Sequence, residues 1–243
     1  MQQIFIPFLS EYPMILTLLG LALGGLLTLV VGSRSERGAQ ALAILTLLAG
    51  LVLNVLLLLR ANTAPVTHDI VWLGDESDPL MMLGFLGDGL SAPVAVLIVA
   101  LGLFSVVYSV TYMRKLHRPG VYYSLMVWFV ASMVGVVYAT DLLQFLLFYE
   151  LMLIPAFLLV YLYGVSEEPS QRTRNAFQFW VWTALGGIIS IFATLLLFAA
   201  TGTFEIQALY SAPIAASTAK TVGVLSLIHI SEPTRLGMIS YAV

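Results

Sequence analysis

The chain has 243 residues, of which 60% are hydrophobic and only 9% are charged, with a formal net charge of −3. This composition lies far outside the range of soluble globular domains and indicates an integral membrane protein. Cysteine is absent, so the sequence excludes disulfides, thiolate chemistry and cysteine-ligated iron–sulfur or zinc sites.

Six apolar runs have about the twenty residues that a helix needs to cross a bilayer. In chain order they cover about residues 13–32, 41–59, 90–113, 121–138, 142–163 and 177–200. A seventh run begins near Thr218 or Thr221 and stays apolar only to Ile230. The sequence therefore predicts an all-α integral membrane fold with six transmembrane helices and the truncated start of a seventh.

Basic residues in alternate loops predict the orientation of the spans. They are Arg34 and Arg37 after the first run, Arg114, Lys115 and Arg118 after the third, and Arg172 and Arg174 after the fifth. Because basic loops remain in the cytoplasm, these loops are predicted to lie inside and the N-terminus outside. The long loop from Ala61 to Gly87 carries His68 and four acids, and it is predicted to be a solvated outer loop rather than a metal site.

The third run opens with the sequence Asp88-Gly-Leu-Ser91. Aspartate and serine beside a helix N-terminus favour the helix dipole and accept hydrogen bonds from free backbone amides. We therefore expect a structural capping role for both residues.

The fifth run, DLLQFLLFYELMLIPAFLLVYLYG from Asp141 to Gly164, contains one carboxylate, Glu150. A helix from Leu142 reaches Glu150 after about 12 Å, close to the middle of a hydrocarbon core about 30 Å thick. A carboxylate there costs about 2.5–3.5 kcal/mol, so it indicates a proton or ion site, or a buried partner for a cation. Pro155 removes the amide that would pair with the Leu151 carbonyl and predicts a helix kink beside the acid. The alternative is a neutral, hydrogen-bonded packing residue beside an ordinary kink.

The end of the chain is unusual. LSLIHISEPTR (225–235) and ISYAV (239–243) resemble translated read-through of a sequencing-library adapter. We expect residues 225–243 to be a non-native tail and the natural sequence to stop near Val224, so that His229 has no functional weight. A genuine short C-terminus is the alternative.

Three stretches together resemble one protein family. They are FLGDGLSAPVAVL (85–97), FYELMLIPAFLLVYLYG (148–164), and FWVWTALGGIISIFATLLLF (179–198) followed by TGTFEIQAL (201–209). As a set they are similar to the membrane chain called M, or chain 4, of NADH:quinone oxidoreductase, which is respiratory complex I. The resemblance divides the chain into helices 1–3 (residues 1–120), the start of an antiporter-like proton-translocation domain (121–224) and the tail (225–243).

The resemblance implies that Glu150 is the family's fifth-helix glutamate and exchanges protons while pairing with a lysine on the seventh helix. Lys220 precedes that helix and is not the expected lysine, which would lie beyond the natural end of this sequence. A cation that approaches a carboxylate lowers its pKa and desolvation raises it, so such a pair can switch proton affinity.

The expected function is that of an N-terminal fragment of a proton-translocating subunit in a multisubunit oxidoreductase, in a bacterial inner membrane. By resemblance, NADH, FMN, iron–sulfur clusters and quinone belong to the wider complex, and this chain binds no cofactor and no metal. The expected partners are other membrane subunits, including further antiporter-like ones, and the lipid bilayer, with no nucleic acid. The alternatives are a subunit of a sodium/proton antiporter or membrane-bound hydrogenase, and an ion-inert membrane scaffold.

Overall fold

The computed structural model describes residues 12–75, 78–112, 118–164 and 168–225. Its helices are α1 (Pro13–Gly32), α2 (Glu36–Ala61), α3 (Ser91–Tyr112), α4 (Pro119–Tyr138), α5 (Leu142–Tyr163), α6 (Pro169–Thr201) and α7 (Ile206–Ser211), followed by α8 over residues 216–225. Two antiparallel strands, β1 (Val66–Asp75) and β2 (Asp78–Gly87), form a small sheet between α2 and α3. Apart from residue 225, the predicted non-native tail lies outside the described residues.

The six helices α1–α6 are each long and apolar enough to cross a membrane, so the predicted count of six spans and the all-α membrane class are confirmed. The observed α5 has the predicted bounds. The observed α6 begins at Pro169, eight residues before the predicted start. Pro169 occupies the first helical turn, and the polar residues between it and the apolar run are also helical. The segment from Ala61 to Gly87, predicted to be a solvated loop, contains the strand pair β1–β2.

The chain forms two compact units, one of residues 1–70 and 84–139 and one of residues 71–83 and 140–243. Helices α1–α4 belong to the first unit and α5–α8 to the second. The first unit therefore includes α4, whereas the predicted boundary of the antiporter-like domain at residue 121 would separate α4 from α3. That predicted boundary divides the chain by function, and it stays a prediction.

Close helix contacts build the first unit. A Cβ atom on Gly32 would overlap the Cα atom of Gly120, so α1 and α4 approach there backbone to backbone. The indole nitrogen of Trp128 on α4 donates a hydrogen bond of 3.0 Å to the Ala22 carbonyl on α1. Tyr138 on α4 donates to the Asn54 side chain on α2, and both residues are fully buried. Small residues and interhelical hydrogen bonds are the usual means by which membrane helices pack.

The predicted cap of α3 is confirmed. The Asp88 carboxylate accepts hydrogen bonds from the amides of Leu90 (3.0 Å) and Ser91 (2.7 Å), and the Ser91 hydroxyl accepts one from the Asp88 amide at 2.9 Å. The pKa of Asp88 is lowered, mainly by the backbone hydrogen bond from Ser91.

Candidate functional site

The second unit is built around a helical hairpin of α5 and α6, and Asp141 begins its first helix. The Asp141 carboxylate accepts hydrogen bonds from the amides of Leu143 (2.7 Å) and Gln144 (3.3 Å). It is only 6% exposed, and this burial raises the pKa of Asp141 above its ordinary value despite the two hydrogen bonds. A buried N-cap therefore fixes the start of the helix that carries the predicted acid.

Glu150 lies on α5 against α6, and Gly187 is its neighbour there. A Cβ atom placed on Gly187 would overlap Oε1 of Glu150 and would lie 3.0 Å from its carboxyl carbon. Gly187 is buried and Glu150 is half-buried. The carboxylate is therefore in contact with a part of α6 that has no side chain.

Aromatic contacts nearer the α5–α6 loop maintain the same helix register. The ring centroid of Phe157 lies 5.8 Å from that of Phe177 in a T-shaped contact and 6.4 Å from that of Trp180. Residues Glu150 and Phe157 are seven apart on α5, and Gly187 and Trp180 are seven apart on α6, which is two helical turns in each case. The antiparallel register that positions the carboxylate thus continues over at least two turns.

Small and hydroxylated residues share the face of α6 that contains Gly187. Thr183, Gly187, Ser190 and Thr194 follow the spacing of four, three and four residues that places side chains on one side of a helix. Thr183 donates to the Phe179 and Trp180 carbonyls, and Thr194 is only 7% exposed. Hydroxyl groups both donate and accept hydrogen bonds, so this face offers polar partners to water molecules or to a proton-carrying group.

Pro155 lies in the interior of α5, which continues as one helix from Leu142 to Tyr163. Pro155 is buried, and its ring nitrogen has no hydrogen to donate to the Leu151 carbonyl. The carbonyl of Leu151, the residue after Glu150, is thus left without its helical amide. The kink itself stays a prediction.

Both ends of the hairpin are fastened. At one end the Leu142 amide donates to the Phe204 carbonyl (3.0 Å) and the Ile206 amide donates to the Thr140 carbonyl (2.9 Å). At the other end Arg172 on α6 donates a 3.3 Å hydrogen bond to the Leu162 carbonyl on α5. These contacts oppose separation of the two helices.

The structure does not bring the other sequence candidates to this site. The ring of His68 lies against Tyr12, with centroids 5.0 Å apart, and the described residues contain no group of three histidine or acidic side chains that could hold a metal ion. Lys220 was predicted to precede the seventh helix, but it lies within α8, where its side chain is exposed. The Gly186–Gly187 pair in the sixth apolar run indicates close helix packing from sequence alone, and the structure shows that the group packed against Gly187 is the Glu150 carboxylate. The burial of Asp141 has no comparable signal in the sequence.

A family model described as the transmembrane domain of NADH:quinone oxidoreductase and Mrp antiporters matches residues 139–239. The match begins where the first compact unit ends, at Ala139, and includes the whole α5–α6 hairpin. The matched stretch covers less than half of the chain, and its last residues, 225–239, belong to the segment predicted to be a non-native tail.

Known proteins and solved structures are similar to parts of this chain. NADH-quinone oxidoreductase subunit M of Pseudomonas aeruginosa is 33% identical over 110 residues, which are 44% of this chain and 21% of that protein. A chain of respiratory complex I from Thermus thermophilus has a TM-score of 0.72 and 25% identity, covering 88% of this chain and 43% of that one. A chain of the Mrp complex from Dietzia sp. DQ12-45-1b has the same fold, with a TM-score of 0.74 and 21% identity over 90% of this chain and 24% of that one. The chain covers less than half the length of each of these relatives.

Proposed function

We propose that this chain is part of a proton-translocating subunit of an NADH:quinone oxidoreductase and that Glu150 carries the translocated proton. The observation that supports this proposal is a carboxylate inside a membrane helix of the matched domain, in contact with the facing helix at Gly187. Ionisable groups at this depth are expensive to bury, and their default interpretation is an ion or proton path.

The proposed chemistry needs only proton transfer. Glu150 takes a proton from water or a hydroxyl-bound water on one side, becoming a neutral carboxyl group, and releases it to the other side when its surroundings favour the charged form. Its proton affinity falls when a cation approaches and rises when water is withdrawn. The hydroxyl face of α6 and the free carbonyl beside Pro155 supply polar groups at which water can be held.

We further propose that the redox chemistry takes place on other subunits. The sequence has no cysteine for an iron–sulfur cluster, and the relatives are subunits of multisubunit oxidoreductases by name. In this proposal NADH, FMN, clusters and quinone are bound elsewhere, and this chain contacts other membrane subunits, including antiporter-like ones. The proposed location is a bacterial inner membrane with the basic loops inside.

The test is Glu150→Gln in the full-length subunit within the assembled complex. We expect proton pumping per electron pair to fall at least tenfold, because the amide has nearly the same shape but does not exchange a proton near neutral pH. The control is Glu205→Gln, which makes the same change at an exposed acid of the second unit outside the spans, and it should pump as wild type. If a fully assembled Glu150→Gln complex pumps normally, the ion-inert scaffold replaces this proposal.

A second candidate is a subunit of a sodium/proton antiporter. The family model includes Mrp antiporters, and the Mrp chain has the same fold over 90% of this chain. Sodium dependence separates the two candidates: antiport requires a sodium gradient or drives one, whereas the oxidoreductase subunit pumps when NADH and quinone are supplied without added sodium.

By resemblance, the cationic partner of Glu150 is a lysine beyond residue 224. Resequencing the source gene past the codon for Gly223 tests this expectation directly. A reading frame that continues into a lysine-bearing membrane helix supports the proposed pair, and a gene that ends at Val243 would require the cation to come from another chain.

A further inference from the structure

We propose that Gly187 is a positioning residue for Glu150. Its missing side chain leaves a gap on α6, here called the glycine seat, that holds the carboxylate directly against the helix backbone. This inference rests on the proposed function, because it assigns a residue that sets the proton affinity of the same acid.

A Cβ atom at position 187 would enter the space that the Glu150 carboxylate occupies, so any larger residue requires that side chain to shift. A Cβ atom there would overlap Oε1 of Glu150 and would lie 3.0 Å from its carboxyl carbon and 3.6 Å from Oε2. Non-bonded heavy atoms of these types pack at about 3.5–4.0 Å. Even alanine would therefore force the carboxylate to move or the two helices to separate.

Separation of the helices is opposed by the contacts at both ends of the hairpin. Backbone hydrogen bonds join residues 140–142 to residues 204–206, and Phe157 packs against Phe177 and Trp180 on the other side of the carboxylate. The glutamate side chain has freely rotating bonds and is half-buried, so rotation of Glu150 requires less rearrangement than separation of α5 from α6. A side chain at position 187 should therefore eject the carboxylate and leave the hairpin intact.

Ejection changes what surrounds the acid. From Thr183 to Thr194, α6 has no titratable side chain, and the backbone at Gly187 lies in contact with the Glu150 carboxylate. On α5, the adjacent Tyr149 interacts electrostatically with Glu150. Moving the carboxylate off the glycine seat changes its contact with these groups and with water, which are the determinants of proton affinity.

The experiment compares Gly187→Ala and Gly187→Ser with Gly20→Ala in the full-length subunit of the assembled complex. Gly20 is a matched control because it lies in a membrane helix and a Cβ atom there would meet nothing within 4 Å. Two readouts are measured: the pH profile of proton pumping, and the infrared titration of the carboxyl band that Glu150→Gln removes.

We expect both Gly187 variants to assemble. The titration midpoint of that carboxyl band and the pH profile of pumping should each shift by about one pH unit. Pumping at the wild-type optimum should fall about tenfold, since one pKa unit corresponds to a tenfold change in protonation equilibrium. Gly20→Ala should match wild type. Profiles and titrations of Gly187→Ala that coincide with those of Gly20→Ala would overturn the inference.

A second variant covers the case in which Gly187→Ala assembles poorly. Glu150→Asp shortens the acid by one carbon, so the alanine Cβ no longer meets the carboxylate. If the double variant assembles better than Gly187→Ala alone, the two residues are coupled as the glycine seat requires; if it assembles equally poorly, Gly187 serves helix packing only and the inference fails. If Glu150→Gln stops pumping while Gly187→Ala keeps the wild-type pH profile and titration, the glycine seat is rejected and the proposed function is retained. If Glu150→Gln pumps normally, the proposed function is rejected.

Discussion

Both compact units contain threonines that donate to carbonyls of their own helix, but the units differ in the polar group that contacts a facing helix. In the first unit, Thr17 and Thr28 donate to carbonyls one turn back on their own helix at 2.8 and 2.7 Å, and Asn54 accepts a hydrogen bond from Tyr138. In the second unit, the carboxylate of Glu150 lies against the backbone at Gly187. A hydrogen bond between neutral groups such as Tyr138 and Asn54 stabilises packing, whereas a carboxylate such as Glu150 can change its protonation state.

The glycines of the two units also differ in the kind of group that they contact. In the first unit, Gly32 and Gly120 bring two backbones together and Gly102 receives the side chain of Val130, so these glycines are sites of helix packing. In the second unit, Gly187 receives a carboxylate. A glycine in a membrane helix is therefore informative about function only when the group that occupies its space is known.

The largest expected contrast is between Glu150→Gln and Tyr138→Phe. Glu150→Gln should lower pumping at least tenfold, while Tyr138→Phe, which removes only the hydroxyl bonded to Asn54, should keep pumping within about twofold and cost about 0.6–1.7 kcal/mol of stability. Pumping and thermal unfolding of the assembled complex measure the two effects. If Tyr138→Phe stopped pumping in a fully assembled complex, Tyr138 and Asn54 would belong to the ion path. The proposed difference between the polar groups of the two units would then be wrong.

The next effect concerns packing glycines. Gly120→Val should lower the free energy of unfolding by about 1–3 kcal/mol, because its side chain would enter the space occupied by Gly32. Thermal unfolding of the full-length subunit in detergent measures the change, with Gly20→Ala as the control that should alter nothing beyond a few tenths of a kcal/mol. An unchanged unfolding temperature for Gly120→Val would mean that the two helices do not meet at this point.

The smallest effect concerns two aspartates that cap helices in different units. Burial raises the pKa of Asp141, so the folded state holds its proton longer than the unfolded state and stability falls as pH rises from about 4 through the raised pKa. Asp141→Asn keeps the cap and should remove this decrease. Unfolding temperatures of wild type and variant, measured from acidic to neutral pH, should differ most at the neutral end, by the equivalent of about 1 kcal/mol or less.

Asp88 should behave in the opposite way. Its pKa is lowered, chiefly by the backbone hydrogen bond from Ser91, so its contribution to stability is present above the ordinary carboxyl pKa and is lost as pH falls through the lowered value. Asp88→Asn should therefore match wild type at acidic pH and be less stable than wild type at neutral pH, whereas Asp141→Asn should be more stable than wild type at neutral pH. Parallel pH profiles for the two variants would contradict the assignment of burial to one cap and hydrogen bonding to the other.

Local signals in the sequence were sufficient for much of the fold. The bounds of α5 were predicted correctly because Asp141 provides an N-cap and Gly164 follows the last apolar turn. The early start of α6 was missed because polar turns carrying Arg172 and Arg174 read as a loop, although they form regular helix outside the apolar segment. The strand pair β1–β2 was missed because four acids in the segment suggested a solvated loop.

The candidate site was only half predictable. Depth and charge alone single out Glu150, since a carboxylate in the middle of an apolar run is costly wherever the other helices lie. Its contact with Gly187 depends on the register between two helices joined by a loop, and the sequence pattern of either helix leaves that register open. The Gly186–Gly187 pair therefore predicts close helix packing, but it does not predict that the packed group is the Glu150 carboxylate.

The backbone hydrogen bonds between residues 140–142 and 204–206 have a mechanical consequence. They connect the segment that enters α7 directly to the first turn of α5. A force on the chain after Ser211 can therefore act on α5 through these hydrogen bonds, without being transmitted along α6. Glu150 lies about 12 Å along α5 from that turn. A movement of the chain beyond the α5–α6 hairpin should therefore be transmitted to α5, the helix that carries Glu150.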